Sequence, residues 1–138
     1  MSAVENKQLL QAIFAELSKG NSRPLVESMA DEVCWTVAGS TAWSGTYRGK
    51  PAVLKELLGP LSRRFAQPYR ATADRFIAEG DAVTVEARGE ATTKDGLAYN
   101  NRYCFIYRFA DGKLREITEY CDTALIEAAL GSRDHTDA

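Results

Sequence analysis

The run Arg115-Glu116-Ile117-Thr118-Glu119-Tyr120-Cys121 alternates in the manner of a strand, and its phase sets the carboxyl of Glu119 on the same side as Ile117. A carboxyl carried into apolar surroundings loses the water that favours its charged form. Its pKa therefore rises toward neutrality, where it can act as a general acid or base. Asp122 is the competing acid, although its place just ahead of Thr123-Ala124 suits the N-cap of a helix better. On the preceding aromatic strand, Asn101, Tyr103 and Phe105 share one face with Tyr107. Asn101 and Tyr103 would give Glu119 amide and phenol neighbours able to orient a substrate, or would form a satisfied polar network beside the core. Trp35, in phase with Val37, offers a broad apolar wall for a planar molecule, or simply core. Trp43 and Tyr47 lie in a glycine-rich stretch, where they would rim a pocket mouth or staple the loop. The candidate acid is thus Glu119, and the candidate binding residues are Trp35, Val37, Trp43, Tyr47, Asn101, Tyr103, Phe105 and Ile117.

Composition removes several other chemistries. His135 is the single histidine and falls in the polar stretch 131–138, so histidine triads and the usual zinc sites have no imidazole to use. Cys34, Cys104 and Cys121 are widely spaced within apolar runs and follow no metal-ligand pattern, which suits reduced thiols. No metal and no cofactor is expected. Basic residues number 17 against 19 acidic ones, giving a net charge of -2, so no positive field awaits a nucleic-acid backbone. With no leader-like segment and no apolar run of about 18 residues, the expectation is a cytoplasmic protein without a membrane partner.

These residues need a scaffold, and 138 of them suffice for one domain with a sizeable core. Leu10, Ile13, Phe14 and Leu17 space out a helix over 4–19, and Ser22 and Pro24 open a short second one that ends near Asp31. Val33 to Val37 reads as a strand, and 39–49 as an irregular loop. Pro51 begins a third helix, bearing Val53, Leu54, Leu57, Leu58 and Leu61, which Gly59-Pro60 should kink or interrupt before it ends near Phe65. From Tyr69 the period becomes two, and tight turns near residues 80, 95 and 112 divide four antiparallel strands. A last helix spans 124–130. The predicted architecture is α+β: a curved, mostly antiparallel sheet covered on one face by three helices, in a domain over 1–130 with a disordered tail at 131–138.

Two strings resemble the opening and closing strands of SnoaL-like members of the nuclear transport factor 2-like superfamily. They are Ala30-Asp31-Glu32-Val33-Cys34-Trp35-Thr36-Val37 with Gly45-Thr46-Tyr47-Arg48-Gly49, and Tyr99-Asn100-Asn101-Arg102-Tyr103 with Glu119-Tyr120-Cys121-Asp122-Thr123. The resemblance implies the cone-shaped fold of that superfamily, in which SnoaL-like cyclases place an acidic residue inside the pocket. It also implies a homodimer formed through the uncovered sheet face, where Cys104, Ile106 and Tyr120 would supply apolar contact. True ketosteroid isomerase chemistry is not expected. Val37, Ile13-Phe14 and Phe105 stand where that enzyme's base, tyrosine and second acid would fall, and the Arg-x-Asp pair of limonene epoxide hydrolases is missing from 99–109. Three functions stay open: proton transfer on a small apolar or polyketide-like molecule, binding of such a molecule without chemistry, or protein association with a vestigial pocket.

Overall fold

Ser2 opens the chain's first helix through a reciprocal cap, its hydroxyl accepting from the Glu5 amide at 3.1 Å while its own amide donates to the Glu5 carboxylate at 2.8 Å. The computed structural model describes residues 1–132, so His135 and most of the expected tail lie outside the described residues. Helix α1 (Ala3–Leu17) buries Leu10, Ile13, Phe14 and Leu17, and α2 (Arg23–Glu27) follows with Pro24 in its first turn.

Six strands then build one sheet in the order β2-β1-β6-β5-β4-β3, with β1 Met29–Val37, β2 Gly45–Arg48, β3 Arg70–Glu79, β4 Ala82–Glu90, β5 Arg102–Ala110 and β6 Lys113–Cys121. Only β1 and β6 run parallel; every other pair is antiparallel. The sheet is curved and unclosed, and its burial alternates strictly along β4 and β5, as a sheet with one covered face requires. Val83, Val85, Tyr107, Ile117 and Val33 form its driest part and belong with the buried side chains of α1 to one continuous apolar cluster.

Two departures from the expected elements matter for the pocket. The presumed loop 39–49 holds β2, a four-residue edge strand whose single buried side chain is Tyr47, paired opposite Trp35. The third helix continues through Gly59-Pro60 without a break: α3 (Lys50–Ala52), a π-helical stretch Val53–Leu58 and α4 (Gly59–Arg64) follow one another directly. Proline cannot donate to the helical ladder and crowds the carbonyl four residues back. The wider π turn just before it relieves that conflict, with the Gly59 amide bonding back to the Leu54 carbonyl. The final helix is also composite, α5 (Thr123–Leu125) running into a π turn at Ile126–Leu130.

Candidate functional site

Register brings Glu119 between two apolar neighbours, Val37 on the parallel strand β1 and Phe105 on the antiparallel strand β5. Its side chain points to the helix-covered face. Oε1 accepts from the Trp35 indole at 3.2 Å, and Oε2 accepts from the Cys121 thiol at 3.6 Å. Burial pushes the Glu119 pKa up from 4.5 to about 7, against the smaller opposing pull of those two donors. No cation contributes to that balance. Glu119 retains a fraction of accessible surface, and that surface faces internal space rather than bulk water, since the residue lines two adjoining chambers.

The larger chamber encloses about 200 Å³ between the sheet, α1 and the long helix. Its walls are mainly aromatic and aliphatic, among them Phe14, Trp35, Leu58, Leu61, Phe65 and Phe105. It reaches solvent beside Ser22, Ser62 and Pro68, all exposed. The smaller chamber holds about 30 Å³, room for about one water or a methyl group, and lies toward Val37, Trp43, Ile126 and Leu130. Trp35, Leu58, Leu61, Tyr99 and Glu119 border both chambers, so the carboxyl stands at their junction.

Four phenols join it in the larger chamber: Tyr69, Tyr99, Tyr103 and Tyr107. Burial raises the pKa of each, and the nearby Glu119 charge adds to the rise, so all four remain protonated near neutral pH. Tyr103 stacks on Phe105 at 4.8 Å and meets Tyr69 edge to face at 6.3 Å. Tyr69 and Tyr103 lie close enough to influence one another's ionisation, but the buried Tyr69 hydroxyl makes no hydrogen bond within the protein. That hydroxyl lies over Gly89 in the interior of β4, where a Cβ would stand 2.4 Å from it. Glycine is what permits the approach. The same residue is the sequence signal that could have drawn attention to Tyr69, since a glycine inside a strand marks a close neighbour.

Of the residues singled out from sequence, Trp35, Val37, Trp43, Tyr103 and Phe105 border one chamber or the other, together with Glu119. Three others lie elsewhere. Asn101 directly precedes β5, buried in phase with Tyr99 and Tyr103, and is 1% exposed. Its Oδ1 accepts from the Arg102 and Asp122 amides, while Nδ2 donates to the Asp122 carbonyl and the Tyr99 hydroxyl. All its capacity goes to tying the start of β5 to the end of β6. Ile117 has the expected face but is fully covered: its paired neighbours Trp35 and Tyr107 border the larger chamber, while Ile117 itself does not. Tyr47 donates its hydroxyl to the Trp43 carbonyl at 2.7 Å and buries its ring, so it fastens the loop from inside. Asp122 caps the last helix by accepting from the Ala124 and Leu125 amides.

Trp43 lines the smaller chamber, away from the mouth beside Ser22, Ser62 and Pro68. Its indole donates to the Gly131 carbonyl at 2.9 Å, the Arg64 guanidinium sits 5.4 Å over its ring, and Arg64 itself donates to the Leu130 and Ser132 carbonyls. The last helix is thereby drawn across the smaller chamber. Among the described residues no group of histidine, cysteine, aspartate and glutamate side chains is arranged to hold a metal ion, and no helix is long and apolar enough to cross a membrane.

Comparison with known proteins agrees with this architecture. The SnoaL-like domain signature matches residues 10–117. An NTF2-like protein from Burkholderia xenovorans LB400 is 26% identical, with 94% of this chain and 98% of that one covered at a TM-score of 0.71. A protein from Jannaschia sp. CCS1, provisionally designated a SnoaL-like polyketide cyclase, is 16% identical over 94% of this chain and 93% of its own, at a TM-score of 0.76. TerC, co-crystallised with polyporic acid, is 22% identical over 92% of this chain and 98% of its own, at a TM-score of 0.75. No curated protein matches the chain.

Proposed function

The chain belongs to the SnoaL-like domain family of the nuclear transport factor 2-like superfamily, and on that premise we propose that it binds a small apolar or polyketide-like molecule and transfers a proton at Glu119 without a cofactor. One observation carries the reading. A carboxyl with a pKa near 7 borders an aromatic cavity of about 200 Å³ that is open to solvent at its other end. In that state Glu119 is close to half ionised at neutral pH, so it can give or take a proton with little energetic cost. Trp35 and Cys121 each occupy one carboxyl oxygen as donors. When the acid is protonated its own hydrogen must therefore point elsewhere, and the cavity is the open direction. The Tyr103 phenol supplies a donor for a substrate oxygen, and the stacked pair Tyr103 and Phe105 supplies a flat wall. TerC, taken with polyporic acid, makes a planar oxygenated ring a reasonable guest for this fold.

The test uses 1-tetralone, a neutral bicyclic ketone with an exchangeable α-hydrogen. Binding is followed by tryptophan fluorescence and exchange by NMR in D2O. Glu119→Gln should abolish catalysed exchange while keeping affinity within about tenfold, a difference of roughly 1.4 kcal/mol. Equal exchange by both proteins removes Glu119 from the role, and binding without exchange in either leaves a ligand-binding module.

A second reading concerns the outer sheet face. Ile77, Thr84, Ile106 and Thr118 stand opposite one another across β3, β4, β5 and β6, and Ile77 is 51% exposed; Tyr120, two residues beyond Thr118 on that face, is 49% exposed. This stripe supports a homodimer, tested by sedimentation of Ile106→Glu, which should shift the chain toward monomer.

A further inference from the structure

Among the residues bordering the two chambers, Glu119 is the only one that ionises at neutral pH, and neither chamber is bordered by lysine, arginine or histidine. A carboxylate removed from water is ordinarily paired with a cation, because its desolvation is otherwise uncompensated. Here the compensation within the protein stops at an indole N–H and a thiol. The nearest guanidinium described at the closed end, that of Arg64, is committed to the Trp43 ring and to the Leu130 and Ser132 carbonyls. The rest of the wall is rich in π-faces, and the face of an aromatic ring carries negative potential.

From this we propose that the cavity is a site for a lipophilic ammonium ion, whose positive charge meets the Glu119 carboxylate while its substituents lie against Trp35, Tyr103 and Phe105. The inference rests on the reading that the cavity takes a ligand, and not on proton transfer. It extends that reading to a charged class of molecule. An ammonium group attached to an apolar body satisfies both features of the space at once: the carboxylate gains its missing counter-charge, and the rings contribute cation–π attraction in a site largely shielded from water.

Ionisation of Glu119 should govern the affinity. The titratable groups that face it are the Tyr69 phenol ahead of β3, the Tyr99, Tyr103 and Tyr107 phenols on or before β5, and the Cys121 thiol on β6, which burial lifts to about 12. All are raised and stay neutral between pH 6 and 8, leaving Glu119 as the one group near the ligand that titrates in that window.

The experiment compares benzyltrimethylammonium with neopentylbenzene, its uncharged carbon isostere, by fluorescence titration and calorimetry of the intact protein. At pH 8 the cation should bind at least about tenfold more tightly than the isostere. Its affinity should fall by about tenfold between pH 8 and pH 6, while that of the isostere stays level. Glu119→Gln should erase the preference, and Asp74→Asn on the outer face should preserve it, which separates the cavity from general surface attraction. Equal or tighter binding of neopentylbenzene overturns the cation assignment but leaves a ligand cavity. A charge preference that survives Glu119→Gln also overturns it. Binding of neither probe overturns both this inference and the ligand-site reading. The pH dependence is read on the wild-type chain, so the outcome does not hinge on whether the variant folds.

Discussion

The two faces of one sheet treat carboxylates in opposite ways. On the outer face Asp74 accepts three contacts of 2.9–3.1 Å from the Arg88 guanidinium, and its carboxyl is held below the ordinary range by those hydrogen bonds. Glu86 and Asp81 likewise stand within 3.6 Å and 3.8 Å of Arg75 and Arg108. On the inner face Glu119 has apolar neighbours and no cation, and its pKa moves up instead. The same functional group, on opposite faces of one sheet, is held ionised on one side and lifted toward neutrality on the other. Solvent and counter-charge make the difference, because a well-hydrated, paired carboxylate has no reason to change protonation near neutrality.

The largest effect that would test this contrast is thermodynamic. Glu119 has a folded pKa of about 7 against an ordinary 4.5, so the native state binds the extra proton between those values. Its contribution to stability is intact below pH 4.5 and is lost as the pH rises through 7, by roughly 3 kcal/mol in all. Urea unfolding of Glu119→Gln at pH 8 should therefore show a gain of that order over the wild type, shrinking to nothing near pH 4.5. No gain at pH 8 would mean that the inner carboxyl is as well solvated as the outer ones. Next in size is Gly89→Ala, whose new Cβ would fall 2.4 Å from the Tyr69 hydroxyl and 2.9 Å from the ring carbon bearing it. Overpacking there should cost about 1–3 kcal/mol, with Tyr69→Phe recovering only part in the double variant. Asp122→Ala, at the point where β6 leaves the sheet, should cost about 1 kcal/mol through loss of the cap, seen as a lower melting temperature with no change in the pH profile of the cavity. Asp74→Asn should do least. Its pair with Arg88 is exposed, so stability at pH 7 should hardly move, and the contribution it does make is lost only as the pH falls below about 4, opposite in sign to Glu119.

Strand phase made the central residue of this contrast legible in the sequence. Period-two alternation from Tyr69 onward separated Val83, Val85 and Ala87 from Thr84, Glu86 and Arg88, and the same rule turned Glu119 inward. The rule set Asn101 inward, where it is 1% exposed, but alternation reports only a face: its amide is spent on the Arg102 and Asp122 backbone and the Tyr99 hydroxyl, the satisfied network rather than the substrate contact, and too little of that is written in the pattern. β2 was hidden for a related reason: four residues beginning with glycine, one of them buried, carry too little pattern to distinguish an edge strand from a loop. Tyr69 and the helix residues Leu58 and Leu61 reach the cavity only through tertiary packing. Their local sequence says that they are apolar or aromatic, which is true of core and pocket alike. At Gly59-Pro60 the interruption takes the form of a π turn rather than a loop, because a π turn can absorb a proline that a regular α turn cannot.

The far end of the hollow is shut by a stopper that belongs to the last stretch of chain. Trp43 and Arg64, from two separate parts of the fold, grip the carbonyls of Leu130, Gly131 and Ser132, and together with the buried Ile126 and Leu130 they hold the composite helix 123–130 across the smaller chamber. Deleting the stretch from Ala124 onward would therefore do more than shorten the protein. It would strip one wall from the smaller chamber and admit water beside Glu119, and the carboxyl's pKa should fall back toward its ordinary range.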